Sequence, residues 1–191
     1  MLQIKIFAVI FSLFIIGCGE ASKETATIPS SDSTTFTKPE QQDILMAINK
    51  ARSVARDCHD GLGLVGPSEP LTWNSELYAS AYEHSYDLAQ SNTFDHVGSG
   101  TESDITGNIN GYASIFYERI EANGYTDYRA LGENIAGGQN SIKEVMEAWL
   151  DSPAHCTNIM SDKFAEVGVA IVINSDSDYE IYWTQNFGSK K

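Results

Sequence analysis

Basic residues are scarce in this 191-residue chain: 12 Lys and Arg stand against 26 Asp and Glu, a formal net charge of −14. A surface of that sign repels phosphate backbones, which removes nucleic acid as a partner and works against electrostatic approach to an anionic membrane. Long hydrophobic runs are nearly missing. The one stretch of that kind, Ile6 to Ile16, falls short of the ~20 residues a spanning helix needs. Several catalytic signatures are also lacking: no Gly-x-Ser-x-Gly elbow, no His-Glu-x-x-His, no phosphate-cradling Gly-Lys-Ser/Thr loop and no internal repeat. What is present is a globular composition, 42% hydrophobic and 10% aromatic, enough for one core of ordinary size with an appendage.

The appendage is N-terminal. Residues 1–17 carry one base, Lys5, before the short apolar run, the pattern of a signal peptide. The run closes Ile15-Ile16-Gly17-Cys18, which resembles a bacterial lipobox, so Cys18 is expected to become a lipidated N-terminus. Several acyl chains on one residue supply more than the two signals stable anchoring requires. The alternative is an ordinary cleaved signal with an incidental cysteine. Gly19 stands where an inner-membrane retention signal would place Asp, which favours the outer membrane in a two-membrane host. Residues 18–38, rich in Ser, Thr, Lys and Glu, have no hydrophobic periodicity and read as a disordered tether from lipid to domain.

The domain is expected over residues 39–191. Thr37-Lys38-Pro39-Glu40 has the form of a capping box, and apolar spacing predicts a helix from Pro39 to Arg56. Asn74 caps a second helix to Asn92, with Leu77, Ala81, His84, Leu88 and Ala89 on its inward stripe and Trp73 as a hydrophobic staple. Val97 to Gly111 reads as a loop, and its acidic part, Gly98 to Asn110, offers oxygens without the EF-hand spacing of a calcium site. A third helix is predicted over Tyr112–Asn123 and a fourth from the Ser141-Ile142-Lys143-Glu144 capping box to Pro153. The period then changes from 3.6 to 2: Val167, Val169, Ile171 and Ile173 form one strand, and Tyr179, Ile181, Trp183 and Phe187 the next. With a further extended segment at Gly132 to Ala136, the elements describe a layered α+β domain on an antiparallel sheet.

Three motifs carry chemistry: Phe94-Asp95-His96, Gly132-Glu133-Asn134-Ile135-Ala136, and Trp149-Leu150-Asp151-Ser152-Pro153-Ala154-His155. Together with Pro70-Leu71-Thr72-Trp73-Asn74, Asn123-Gly124-Tyr125, Glu166-Val167-Gly168-Val169 and the closing Tyr182-Trp183-Thr184-Gln185-Asn186-Phe187-Gly188, they resemble the CAP superfamily of cysteine-rich secretory, antigen five and pathogenesis-related proteins, in its bacterial SCP-like branch. The resemblance runs from about Gln41 to Gly188. It implies a three-layer α/β/α sandwich with a central antiparallel sheet and an open cleft holding His96, His155 and Glu133, lined also by Ser152 and Asn134. It also places Cys58 and Cys156 where a subset of bacterial relatives carries a cysteine pair, in line with an exported chain whose third cysteine goes to lipid. Two unpaired thiols are the other possibility.

Two neutral imidazoles and a carboxylate form a reasonable set of ligands for Zn2+ or another divalent cation. The eukaryotic family pattern has a second glutamate where this chain has Ser152, and Glu144, Glu147 and Asp151 fall on the outward face, so a weakly bound ion is expected. The competing reading is a structural polar network, since buried polar groups find partners whether or not they act. His84 reads as a core or cleft-edge histidine, and His59 as inert. The resulting expectation is a lipid-anchored, extracytoplasmic protein of the cell envelope, at the outer membrane or cell surface. It would bind a metal, small molecule, lipid or envelope component, more by recognition than by turnover. A metal-assisted envelope hydrolase of peptidase or esterase type, with Glu133 as base, is the alternative.

Overall fold

The computed structural model describes residues 38–191. The signal segment, Cys18, the tether through residue 37 and the cap at Thr37 lie outside the described residues. Helix α1 (Lys38–Arg52) ends four residues before the expected Arg56. Its last residue explains the stop: the fully buried Arg52 guanidinium donates to the carbonyls of Glu69 (2.8 Å), Ile159 (2.6 Å) and Ser161 (2.9 Å). A short hairpin follows, β1 (Arg56–Asp57) and β2 (Leu64–Val65), with Gly61 and Gly63 at φ +85° in its turn.

Strand β3 (Thr72–Trp73) leads into α2 (Ser75–Ser91), whose start is the expected one. Asn74 Oδ1 accepts from the backbone N–H of Glu76 and Leu77 at 2.9 and 3.0 Å, and Trp73 packs against Tyr78 in a tilted arrangement, 5.8 Å between ring centroids. The segment after α2 departs from the expected open loop. It contains a six-residue helix, α3 (Ile105–Asn110), and the next helix, α4 (Phe116–Ala122), starts four residues later than Tyr112. The cause is Asp104, whose buried carboxylate accepts from the N–H groups of Gly100, Gly107 and Ser114 and from Ser114 Oγ. Asp87 likewise accepts from Ser99 N, Ser99 Oγ and Ser103 Oγ. The Asp87 and Asp104 carboxylates thus organise this segment from within, while Glu102, Asn108 and Asn110 are exposed.

After β4 (Tyr128–Gly137) comes α5 (Ile142–Asp151), where Ser141 Oγ accepts from Glu144 N at 3.2 Å while the Glu144 carboxylate turns to Asn140 N, half of the expected box. Helix α5 stops just before Pro153, as expected, but the proline is not followed by a loop. It opens another helix, α6 (Pro153–Met160), in the first-turn position where a missing N–H costs nothing. Strands β5 (Glu166–Ile173) and β6 (Ile181–Lys190) then form the expected hairpin.

The main sheet has the order β3-β5-β6-β4. It is antiparallel except at β3, which pairs parallel to β5 through Thr72 with Glu166 and Trp73 with Val167, a departure from the fully antiparallel expectation. The chain passes through every helical layer between those strands and re-enters in the same direction. Alternation sorts the side chains: Val167, Val169, Trp183 and Phe187 pack with Ile48, Trp149 and Ile159 of α1, α5 and α6, whereas Ile135 and Tyr182 pack with Leu88 and Ala89 of α2. The result is three layers, helices on both faces of one sheet. At Gly168 a Cβ would collide with the backbone nitrogen of Tyr78, so α2 rests directly on β5.

Cys58, beside the β1–β2 hairpin, is bonded to Cys156 of α6, with Cα atoms 5.5 Å apart across a separation of 98 residues. A bridge of that span removes much of the unfolded chain's freedom. Replacing both residues by alanine is expected to lower stability by ~2 to 5 kcal/mol, read as a shift of the urea midpoint at neutral pH. An unmoved midpoint would show that the hairpin is held by packing alone.

Candidate functional site

Strand β4 is an edge strand, and its outward carbonyls are capped by side chains instead of another strand. Trp149 Nε1 donates to Ile135 O at 3.1 Å and Asn158 Nδ2 to Glu133 O at 3.2 Å. This pins the Gly132-Glu133-Asn134-Ile135-Ala136 segment between the two helical layers. Neighbouring strand residues point to opposite faces, and that decides what each can do. Glu133 shares its cross-strand position with Asn186 on the α2 face, and Asn134 shares its own with Gln185 on the α6 face.

Glu133 is 6% exposed and surrounded by donors. Arg119 Nη2 lies 3.0 Å from Oε2 and 3.2 Å from Oε1, and His96 Nδ1 lies 2.9 Å from Oε1. With its amide oriented to satisfy both ends, Asn186 donates to Oε2 at 3.2 Å and accepts from Ser80 Oγ and Ala81 N. Burial opposes ionisation here, yet His84, His96 and Arg119 together hold the carboxyl below the usual carboxylate range. Arg119 is itself fully buried and donates also to the carbonyls of His96 and Ser114. One guanidinium therefore fixes both the carboxylate and the backbone that carries the histidine.

His96, with its side chain half exposed, has its pKa raised, first by the hydrogen bond to Glu133. The carboxylate holds Nδ1 in the protonated form, which leaves Nε2 as the nitrogen free for a ligand. His155, in the first turn of α6, has no ring hydrogen bond among the described residues. Its pKa is lowered, first by burial and then by the charge of His96. The backbone carbonyl of His155 accepts from Asn134 Nδ2 at 3.2 Å, tying α6 to β4.

Two expectations change. Asn134 does not line the cleft: it is fully buried, bonded to Gln185, Asn158 and the His155 carbonyl, because strand alternation turns it away from Glu133. Glu133, His96 and His155 do not form a three-ligand centre, and no group of three or more His, Cys, Asp or Glu side chains fit to hold a metal occurs among the described residues. The reason is the same alternation, with Glu133 spent on Arg119 and His96 on the α2 face while His155 belongs to α6. Ser152, partly buried, sits at the junction of α5 and α6 with its hydroxyl making no cap hydrogen bond to α6. Glu144, Glu147 and Asp151 are exposed, as their outward placement required.

One participant, Arg119, escaped the sequence reading, while a second, His84, is the core or cleft-edge histidine expected. Arg119 gave no signal, being one base in a short, mixed helix. His84 lay on the inward stripe of α2, and its ring is wholly buried, 3.0 Å from Asp95 O and 3.9 Å from Glu133 Oε1. Burial first of all depresses its pKa from 6.5 to about 4. Between those values the unfolded chain binds a proton that the folded one refuses, so stability falls as pH falls. The decline from pH 7 to pH 5 is expected to be about 2 kcal/mol steeper in the native protein than in His84→Gln, which keeps a donor toward Asp95 but does not titrate. Urea denaturation at both pH values measures it, and equal slopes would remove His84 as the cause.

The domain is thus a layered α/β/α sandwich whose edge strand carries a buried glutamate bonded to one histidine, His96. Residues 45–187 match the CAP, or cysteine-rich secretory protein, family, and the chain belongs to that family. Among relatives, it is 33% identical over 122 residues to the uncharacterized protein YkwD of Bacillus subtilis strain 168, covering 64% of this chain and 40% of that protein. It is also 29% identical over 117 residues to the uncharacterized membrane protein YlbC of the same organism, covering 61% and 28%. The chain thus spans less than half the length of either relative.

Solved structures share the fold. An outer surface protein from Borrelia burgdorferi superposes with a TM-score of 0.60 at 20% identity, over 82% of this chain and 96% of that one. An extracellular protein containing a SCP domain from Bacillus anthracis strain Ames does so with a TM-score of 0.57 at 22% identity, over 83% and 45%.

Proposed function

We propose that this protein is an envelope-tethered CAP domain that acts by binding, with His96 and His155 as a loose two-imidazole site for a divalent cation such as Zn2+ or for a small ligand. The observation that carries the reading is the 2.9 Å contact between Glu133 and His96 Nδ1, a carboxylate behind an imidazole. That arrangement sets a ligating histidine's tautomer and orientation. A bound cation would supply Lewis acidity, and two nitrogen ligands without an anionic one favour weak retention. Turnover fits less well. Glu133 has a lowered proton affinity and all its neighbours are donors, so it makes a poor general base.

Placement outside the cytoplasm draws on the signal-like residues 1–17, on the outer-surface and extracellular descriptions of the two structural neighbours, and on the Cys58–Cys156 bond. No described helix is long and apolar enough to cross a membrane. Lipidation of Cys18 provides the tether. In a detergent partition of cells fed labelled fatty acid, the native protein is expected in the detergent phase with label, and Cys18→Ser in the aqueous phase without it. Label-free native protein in the aqueous phase would end the anchor.

The site itself is tested by calorimetric titration with Zn2+. Heat is expected for the native protein and none for His96→Ala or His155→Ala. Binding should weaken as pH falls through the raised pKa of His96, because protons then compete for the nitrogen the metal needs. Identical heats in all three proteins would remove the cation site. Zinc-dependent cleavage of peptidoglycan, peptide or ester substrates, lost in Glu133→Gln, would replace binding by hydrolysis.

A further inference from the structure

An open groove lies along the outer side of α2, with no histidine in its walls. Tyr78, Tyr82 and Tyr86 follow one another at helical spacing, with ring centroids 6.5 Å apart at each step, and Trp73 extends the row at 5.8 Å. A cavity of about 540 Å³ opens beside them, walled by Ala79, Glu83, Ile105 and Asn123. A second, of about 490 Å³, shares Tyr86 and Ile105 with it and adds Gln90, Thr101, Glu102 and Ser103. Nothing in the family resemblance drew attention to this face.

The chemistry of the walls is one-sided. They contain aromatic rings, neutral hydrogen-bonding groups and two glutamates, and no Lys, Arg or His. Glu83 is 6% exposed, and its partners are the backbone N–H of Thr106 and the amide of Asn123, both neutral. No ion pair among the described residues involves Glu83, Asp87 or Glu102. A buried carboxylate without a counter-charge makes the adjoining space favourable for a cation and unfavourable for an anion. Tyrosine faces act in the same sense, since the ring quadrupole attracts ammonium and guanidinium groups. The hydroxyls of the three tyrosines make no hydrogen bond among the described residues, which leaves the row unengaged by the rest of the fold.

We infer that this groove receives a basic, extended peptide segment of a partner protein, its Arg or Lys side chains laid over Tyr82 and Tyr86 and directed to Glu83 and Glu102. The row of rings supplies a flat platform that an extended chain can follow, as aromatic-lined grooves do for other peptides. The net charge of −14 steers such a partner toward the protein, and the groove gives it a place to stay. Ligands with a carboxylate or phosphate head meet the wrong sign here.

The test is fluorescence anisotropy of a labelled Gly-Arg repeat peptide with the full chain, beside the same peptide carrying citrulline, which keeps the shape and drops the charge. The Arg peptide is expected to bind, more weakly as salt rises, and the citrulline peptide to bind roughly tenfold less well. Tyr82→Ala and Glu102→Gln should each weaken the Arg peptide about fivefold to tenfold. Glu102 is exposed on a loop, so its variant reports on the groove without disturbing the core. Glu147→Gln, at an exposed position of α5 in the opposite helical layer, removes one charge of the same sign and should change nothing. Equal binding of the citrulline peptide, equal loss in Glu147→Gln, or displacement of the Arg peptide by a neutral oligosaccharide or a fatty acid would each overturn the assignment.

Discussion

The buried Glu133 carboxylate is held by a buried cation, Arg119, 3.0 Å away. Neither side chain reaches solvent, each is coordinated by several groups from other elements, and removal of one would leave the other as an isolated charge in a poorly polarisable interior. The pair joins α4 to the edge strand. Through the Arg119 bond to the His96 carbonyl it also fixes the chain just beyond α2, so the exposed imidazole inherits its position from a charge pair that solvent does not touch. The site is best described as the visible end of a buried network, whose other members, Asn186, Ser80 and His84, reach back into the α2 layer.

Much of the scaffold could be read from the residues alone because local signals agreed with the global fold. Asn74 with its apolar stripe gave α2 to within a residue, and the change of period gave β5 and β6. The losses have specific causes. Pro153 carries the same local meaning whether a helix ends before it or begins at it, so α6 was invisible. The chain around Asp104 is organised by one carboxylate gathering donors from Gly100, Gly107 and Ser114, and acidic composition alone suggested solvent or calcium. The two-residue β3 was too short to show a period, and with it went the single parallel pairing.

The site was legible as a list of residues and not as a geometry. His96 and Glu133 meet at β4 and the His155 carbonyl is tied to the next residue of that strand, but a list cannot say which side of a strand each occupies. The period of two places Glu133 and Asn134 on opposite faces, converting one expected ligand into the support behind His96 and one expected lining residue into internal cement. Arg119 could not be nominated, since nothing about a lone base in a seven-residue helix announces that its charge is needed fourteen positions later along the chain.

The contact at Gly168 has a bearing on all of this. Because the backbone of α2 lies against a residue that has only hydrogen for a side chain, the gap between that layer and the sheet is fixed by main-chain atoms and not by side chains that could repack. The inner side of α2 carries His84 and the outer side carries the tyrosine row, so one absent methyl group sets the pitch of both. Drift at position 168 would thus tilt two remote surfaces at once, like a shim pulled from under a beam.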